Sequence, residues 1–326
     1  MIKKILTFVF ISLFIIPLSA REAAFYDSDY EISLKYNDVS QPGDAVFAKM
    51  RFLRPSKSSV PKEQFSGISA QMELYLGEKL LDRVSFYQLP EECSKKETVL
   101  LAGLPLSSWW KKDDGYKIKI IYTVPSRTAM EFTLPFNLKD KEFVTETLEL
   151  DTRNTSIKTD TSAKRMEQID RLNAVLKKIT PASVYQTKPF TPPTPATRRT
   201  SFFADRRTYA YTNGKSSTNL HYGIDYGIPE GSEVKACAKG RVVLAEDRIS
   251  TGWSVVIEHL PGLYSLYYHM SKMDVKPGDI IQQGQKIGES GATGLATGPH
   301  LHWEIRLNMS AVSPDFFTGD FAFSKF

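Results

Sequence analysis

Sulfur is scarce in these 326 residues: two cysteines, Cys93 and Cys237, and eight methionines. That excludes a disulfide-stapled scaffold. A single pair so far apart is as readily two free thiols as one bridge, and no chemistry is placed on either. Charge of one sign is also lacking. The net charge is +5, and two of the positive charges, Lys3 and Lys4, lie in a segment expected to be removed. The balance is too weak to argue for nucleic acid and is compatible with a mildly acidic polymer as partner. Histidine is rarer still, with five in the chain, and none precedes His221. Beyond the N-terminus no apolar run is long enough to span a bilayer.

What is present begins at that N-terminus. A short basic start, Met1-Ile2-Lys3-Lys4, precedes the uncharged run Ile5–Leu18, and Ser19-Ala20 ends it before Arg21. This layout reads as a signal peptide over 1–20, too short for a comfortable membrane span. Leu18 is larger than the residue preferred two before a cleavage point, which leaves an uncleaved anchor as the alternative. The expectation is export to the periplasm, cell envelope or exterior, with no stable membrane insertion after cleavage.

From 25 to 150 the period is two. Tyr30, Ile32, Leu34 and Tyr36 alternate with polar residues. So do Val46, Ala48, Met50 and Phe52, then Ile68 to Leu76, then Tyr116, Ile118, Ile120 and Tyr122. Alternation with turn residues between runs predicts an antiparallel β-sandwich, read as a spacer or docking module. Residues 151–200 change texture. Met166, Ile169, Leu172, Val175, Leu176 and Ile179 recur at three and four, which predicts an amphipathic helix over 162–179 with Met166 in its packed face. The proline-rich stretch 180–200 forbids helix and central strand, so it is an extended linker or a segment lying along a domain surface. From 201 to 326, short strands and glycine turns return, and they predict a compact β-sheet or barrel-like domain. The chain is therefore mostly all-β.

All five histidines lie in that last domain. In Gly298-Pro299-His300-Leu301-His302-Trp303-Glu304-Ile305, His300 and His302 share a face if this is a strand. They would be a cross-strand polar pair, a metal clamp, or an acid/base beside a ligand. His221 and Asp225, in "HYGID", are four apart. A straight strand would separate their Cα atoms by about 13 Å, and Gly223 offers a bend that could bring them together. His269 completes the candidates, His259 reads as a packed residue, and Glu304 is either an exposed carboxylate or a partner that orients a histidine. The His221/Asp225 spacing is a weak signal alone and the His300/His302 pair a moderate one; together with His269 they favour a metal site.

These residues also carry a resemblance. "HYGIDYGIPEGSEVKACAKGRVVLAED", "VVIEHLPGLYSLYYHMS", "VKPGDIIQQGQKIGESGATG" and "TGPHLHWEI" resemble the zinc endopeptidases of the lysostaphin/LytM type, the M23 peptidases, in unbroken order over about 221–306. The resemblance implies a Zn2+ ion held by His221, Asp225 and His302. It assigns His269 and His300 to the catalytic pair around the metal-bound water, and peptidoglycan as the substrate. Which of the pair is the general base is left open. "RTSFFADRR" departs from the family's S-P-F-G-x-R lead-in, with Phe202 for Pro and Ala204 for Gly, and the sequence does not choose between Tyr209 and Tyr211 as an assisting tyrosine.

The alternatives are an endopeptidase of glycine-rich protein, a non-catalytic activator of cell-wall amidases, and a phosphocarrier. The full set of histidines and Asp225 argues against the activator, and export together with Asp225 against the phosphocarrier. The order of parts also suggests latency, with the sandwich or the 180–200 segment across the groove.

Overall fold

The computed structural model describes residues 21–318 apart from 27–28, 62–64 and 66. The signal-peptide reading of 1–20 lies outside the described residues. Among them no helix is long and apolar enough to cross a membrane.

The alternating runs form two sheets. One orders the strands Arg21–Tyr26, Glu31–Tyr36, Ala45–Leu53, Glu97–Pro105 and Tyr87–Gln88; the other orders Met130–Pro135, Tyr116–Thr123, Ser69–Leu76 and Lys79–Ser85. Ile32, Leu34, Met50, Phe52, Met72, Leu74, Ile118 and Ile120 point between them and are buried together. Because side chains alternate along a strand, the other face of Ala45–Leu53 presents Ala45 and Phe47. Those residues are buried too, in a second core with Val99, Leu101 and the C-terminal domain's Ile224, Trp303 and Phe317. Phe47 meets Phe317 edge-on, with ring centroids 6.1 Å apart. The sandwich is thus fused to its neighbour through a shared core.

The last strand of this stretch, Thr145–Glu149, leaves the sandwich altogether. It pairs in parallel with Arg206–Ala210, in a three-stranded sheet completed by Ser216–Leu220. Two helices follow. Thr152–Thr159, absent from the sequence reading, is capped by the Asp151 side chain, and Ala163–Lys177 by Ser162. The second helix lays Leu172, Val175 and Leu176 on Leu244, Tyr264 and Leu266. Its apolar face is narrower than expected: Met166 is 48% exposed, and Ile179, 56% exposed, lies beyond the helix end at Lys177. Gln168 is buried in that interface instead, donating to Asp247 O at 3.0 Å and accepting from Ile249 N at 2.9 Å. The helix docks over the Arg248–Ile249 turn, whose backbone needs polar partners, so an amide holds that position.

Of the two forms open to 180–200, the chain takes the surface-lying one. Tyr185 N donates to His259 O, Phe190 N to Phe317 O and Thr191 N to Cys237 O, while Lys235 N donates to Pro193 O. Phe190 stacks on Phe317. These anchors tie the segment to the domain core, and none of these bonds goes to a candidate site residue.

The C-terminal domain is one large sheet in the order Arg199–Ser201, Gly223–Tyr226, Leu301–Leu307, Leu263–Met273, Gly252–Leu260, Gly240–Arg248 and Ile280–Ile281. This order sets the strands of Asp225, His302 and His269 side by side. Both cysteines are free. Cys237 is fully buried beside His259, Sγ to Nε2 3.8 Å, and burial pushes its thiol up to about 11.

Candidate metal centre

Register assembles the centre. Asp225 lies opposite His302 on adjacent antiparallel strands, and Tyr268 opposite His302 on the other side. His221 precedes the strand Gly223–Tyr226 and is fixed by its own backbone, with Ala204 N donating to His221 O and His221 N to Asp205 O. Its Nε2 then lies 3.0 Å from Asp225 Oδ1 and 2.9 Å from His302 Nδ1, and His302 Nδ1 lies 2.8 Å from the same Oδ1. The expected approach of His221 and Asp225 therefore occurs. Gly223 serves it by size rather than by bending: a Cβ there would overlap the Trp303 carbonyl and sit 2.8 Å from His302 Nε2. The departure at Ala204 leaves the turn intact. Ala204 adopts φ 62°, at a cost of about 1–2 kcal/mol for a residue with a Cβ.

The outer atoms of the two rings decide where the protons are. His221 Nδ1 is 2.8 Å from the Phe202 carbonyl, which can only accept, so Nδ1 carries the proton and Nε2 a lone pair. His302 Nε2 donates to Glu304 Oε2 at 3.3 Å. Burial would raise Glu304, but Arg306 and His302 together outweigh it and hold the carboxyl low. In the neutral ring His302 Nδ1 is then a lone pair as well. With His302 neutral, two ring lone pairs and a carboxylate oxygen converge within hydrogen-bond distance. A cation suits that set, and nitrogen, nitrogen and oxygen are zinc donors. A proton competes with a cation for the same place. Burial would lower His302, yet Asp225 and Glu304 raise it to about 9, while burial lowers His221. Burial opposes ionisation of Asp225, and the histidines outweigh it to hold its carboxyl well below the usual range.

His269 and His300 flank the cluster. Their rings are 4.6 Å apart, and His300 Nε2 lies 3.9 Å from Asp225 Oδ1. Each Nδ1 donates to a carbonyl at 2.8 Å, of Thr293 for His269 and Gly298 for His300, leaving Nε2 as the unengaged nitrogen. His269 sits at φ 61° in an irregular stretch of its strand, a conformation that packing must hold against about 1–3 kcal/mol of strain. Burial first, then His300, pushes its imidazole down to about 3.

Glu304 takes the second of its two readings, buried and facing a histidine. His259 is fully buried away from the cluster, donating from Nδ1 to Lys239 O at 2.8 Å with Nε2 2.7 Å from Ser265 Oγ. Burial pushes it down to about 4. A depressed histidine contributes stability that is complete above its ordinary value of 6.5 and lost as pH falls from 6.5 through 4, about 3 kcal/mol in all. The unfolding midpoint in urea should fall over that window. A His259→Asn variant should lose that part of the slope. Of the tyrosines, the Tyr211 hydroxyl pairs with Ser217, and Tyr209 lies beneath Lys158, with Nζ 4.1 Å from its ring centroid.

Sequence reasoning missed the supports. Tyr268 stacks on His302 at 5.4 Å. Arg207 Nη2 donates to Asp225 Oδ2 at 3.4 Å, and its Nε donates to Glu146 Oε1 at 2.7 Å. Glu146 is set there by its register opposite Arg207. The parallel pairing of strands so distant in sequence carries no local signal. Glu146→Gln is expected to weaken zinc binding roughly tenfold, by freeing Arg207 to compete for the carboxylate. Competition with a chromogenic chelator would measure it, and an unchanged affinity would make the pair merely structural.

The model of Peptidase family M23 matches residues 219–314. The chain is 41% identical over 95 residues to the DD-carboxypeptidase/endopeptidase Mpg of Neisseria meningitidis, covering 29% of this chain and 22% of the relative. It is 39% identical over 108 residues to the peptidoglycan DD-endopeptidase ShyA of Vibrio cholerae, covering 33% and 24%. The match therefore spans less than a quarter of either relative. A solved peptidase M23 structure from Pseudomonas aeruginosa superposes with a TM-score of 0.51 at 23% identity, over 81% of this chain and 96% of that one. That likeness bears on the fold.

Proposed function

Because the chain belongs to peptidase family M23 through residues 219–314, we propose that it is an exported zinc endopeptidase that hydrolyses peptide bonds in peptidoglycan stem peptides or cross-bridges. The observation that carries this reading is the convergence of His221 Nε2, Asp225 Oδ1 and His302 Nδ1, each ring fixed by an acceptor on its far side. These three would hold the ion. Bound there, zinc supplies a Lewis acid that polarises the scissile carbonyl and brings the pKa of a water towards neutrality.

The remaining work falls to the chain. Asp225 shares its second oxygen with Arg207, which keeps the carboxylate oriented. Tyr268 and Glu304 fix the plane of His302. His269 and His300, tethered at Nδ1, present Nε2 to the space beside the cluster. One would take a proton from the attacking water, and the pair would return it to the leaving amine. Likeness to a protein named as a peptidoglycan DD-endopeptidase, ShyA, supports peptidoglycan as the polymer.

The test is digestion of purified peptidoglycan by the mature chain, with and without chelator, and mass spectrometry of the products. Chelator-sensitive release of cleaved stem peptides is expected. Bound zinc with no cleavage of peptidoglycan would remove the substrate assignment.

A further inference from the structure

The chain's Trp109 is 65% exposed, in the sandwich's 107–110 turn, yet it is firmly held. The Arg206 guanidinium lies 3.9 Å from its ring. Arg206 also clasps the turn, donating to Ser108 O at 2.6 Å and Ser108 Oγ at 3.2 Å, and to Ala204 O at 2.9 Å. Ala204 N in turn donates to the His221 carbonyl at 2.7 Å. One face of the indole is therefore backed by a fixed cation, and the platform is tied by successive short contacts to the metal-ligand histidine. Trp109 lines a cleft of about 380 Å³ between the sandwich and the C-terminal domain. The same cleft is lined by Asp82, Tyr222, Ser310 and His221.

The volume lies in the range of small-ligand sites, about 300–1,000 Å³. The lining is an open aromatic face with a carboxylate and a hydroxyl at its rim. A pyranose ring has the matching form: one flat face of C–H bonds, and hydroxyl groups around its edge that donate to carboxylates and serines. His221 is part of the lining, so the cleft borders the proposed site.

We propose that this cleft is a saccharide subsite, in which Trp109 stacks on a sugar of the glycan to which the cleaved peptide is attached. The proposal rests on the hydrolase reading above and deepens it: the sandwich would be part of the substrate site. Trp109 is here a specificity residue, remote from the reacting atoms.

Two arms test it with the full mature chain. In the first, cross-linked muropeptides bearing their disaccharides are compared with the same cross-linked peptides stripped of sugar. Trp109→Ala should raise KM about tenfold on the sugar-bearing substrate, leave kcat within about twofold, and leave the sugar-free substrate unaffected. Trp109→Phe should recover most of the loss. An equal change on both substrates, or none, overturns the proposal. In the second, calorimetry follows binding of peptide-free glycan strands, which needs no hydrolysis. Binding by the parent chain that Trp109→Ala abolishes supports the subsite, and no binding by the parent chain overturns it. Glycan binding without peptide cleavage would sink the hydrolase reading alone, while cleavage indifferent to Trp109 would sink this one alone.

Discussion

Asp225→Asn is expected to give a folded chain that no longer retains zinc and no longer cleaves. Asp225 Oδ1 lies within 3.0 Å of both His221 Nε2 and His302 Nδ1, so losing its charge removes the anion at the centre of the proposed site. Structural zinc sites bind with about 10–16 kcal/mol, a few kcal/mol per ligand, so the affinity should fall on the order of a thousandfold. The fold should survive because Arg207 keeps Glu146 as a partner. The cost to stability should be the about 1–3 kcal/mol of one weakened buried polar contact. Metal analysis after dialysis, read beside the thermal midpoint, separates the two effects. An asparagine variant that keeps stoichiometric zinc would mean that the carboxylate is not a ligand.

Replacing either flanking histidine should separate binding from chemistry. His300→Ala and His269→Asn are expected to keep zinc at full occupancy while lowering kcat by about 10²–10⁴-fold, the usual contribution of a positioned acid or base. Asparagine is chosen for position 269 because it tolerates the left-handed backbone that His269 adopts. The pair need not contribute equally. The variant that loses the acidic limb of the pH–rate profile identifies the residue that must be deprotonated to act as base. Loss of zinc from His300→Ala would instead move that residue into the coordination sphere.

Some of this was legible in the residues themselves. Burial of Ile32, Leu34, Met50 and Phe52 follows from a period of two, because alternation is a property of the strand alone. The common face of His300 and His302 follows from the same rule. The helix at Ala163–Lys177 was legible in its period, but its buried face was not. Whether Met166 or Gln168 is covered depends on what lies opposite, and that is a turn 80 residues away.

By itself, then, the sequence determined the kinds of element, their order, and the set of side chains able to hold a metal. Only the tertiary structure decided how they meet. It placed Glu146 against Arg207 across 61 residues, turned Glu304 inward onto His302, and put Phe47 of the sandwich into the C-terminal core. It also laid the proline-rich segment along that core rather than leaving it free. The physical reason is one of range. Strand period, capping and turn preference act over a few residues, whereas register between distant strands is set by which pairing buries the most apolar surface and leaves the fewest polar groups unpaired. Those quantities belong to the assembled chain.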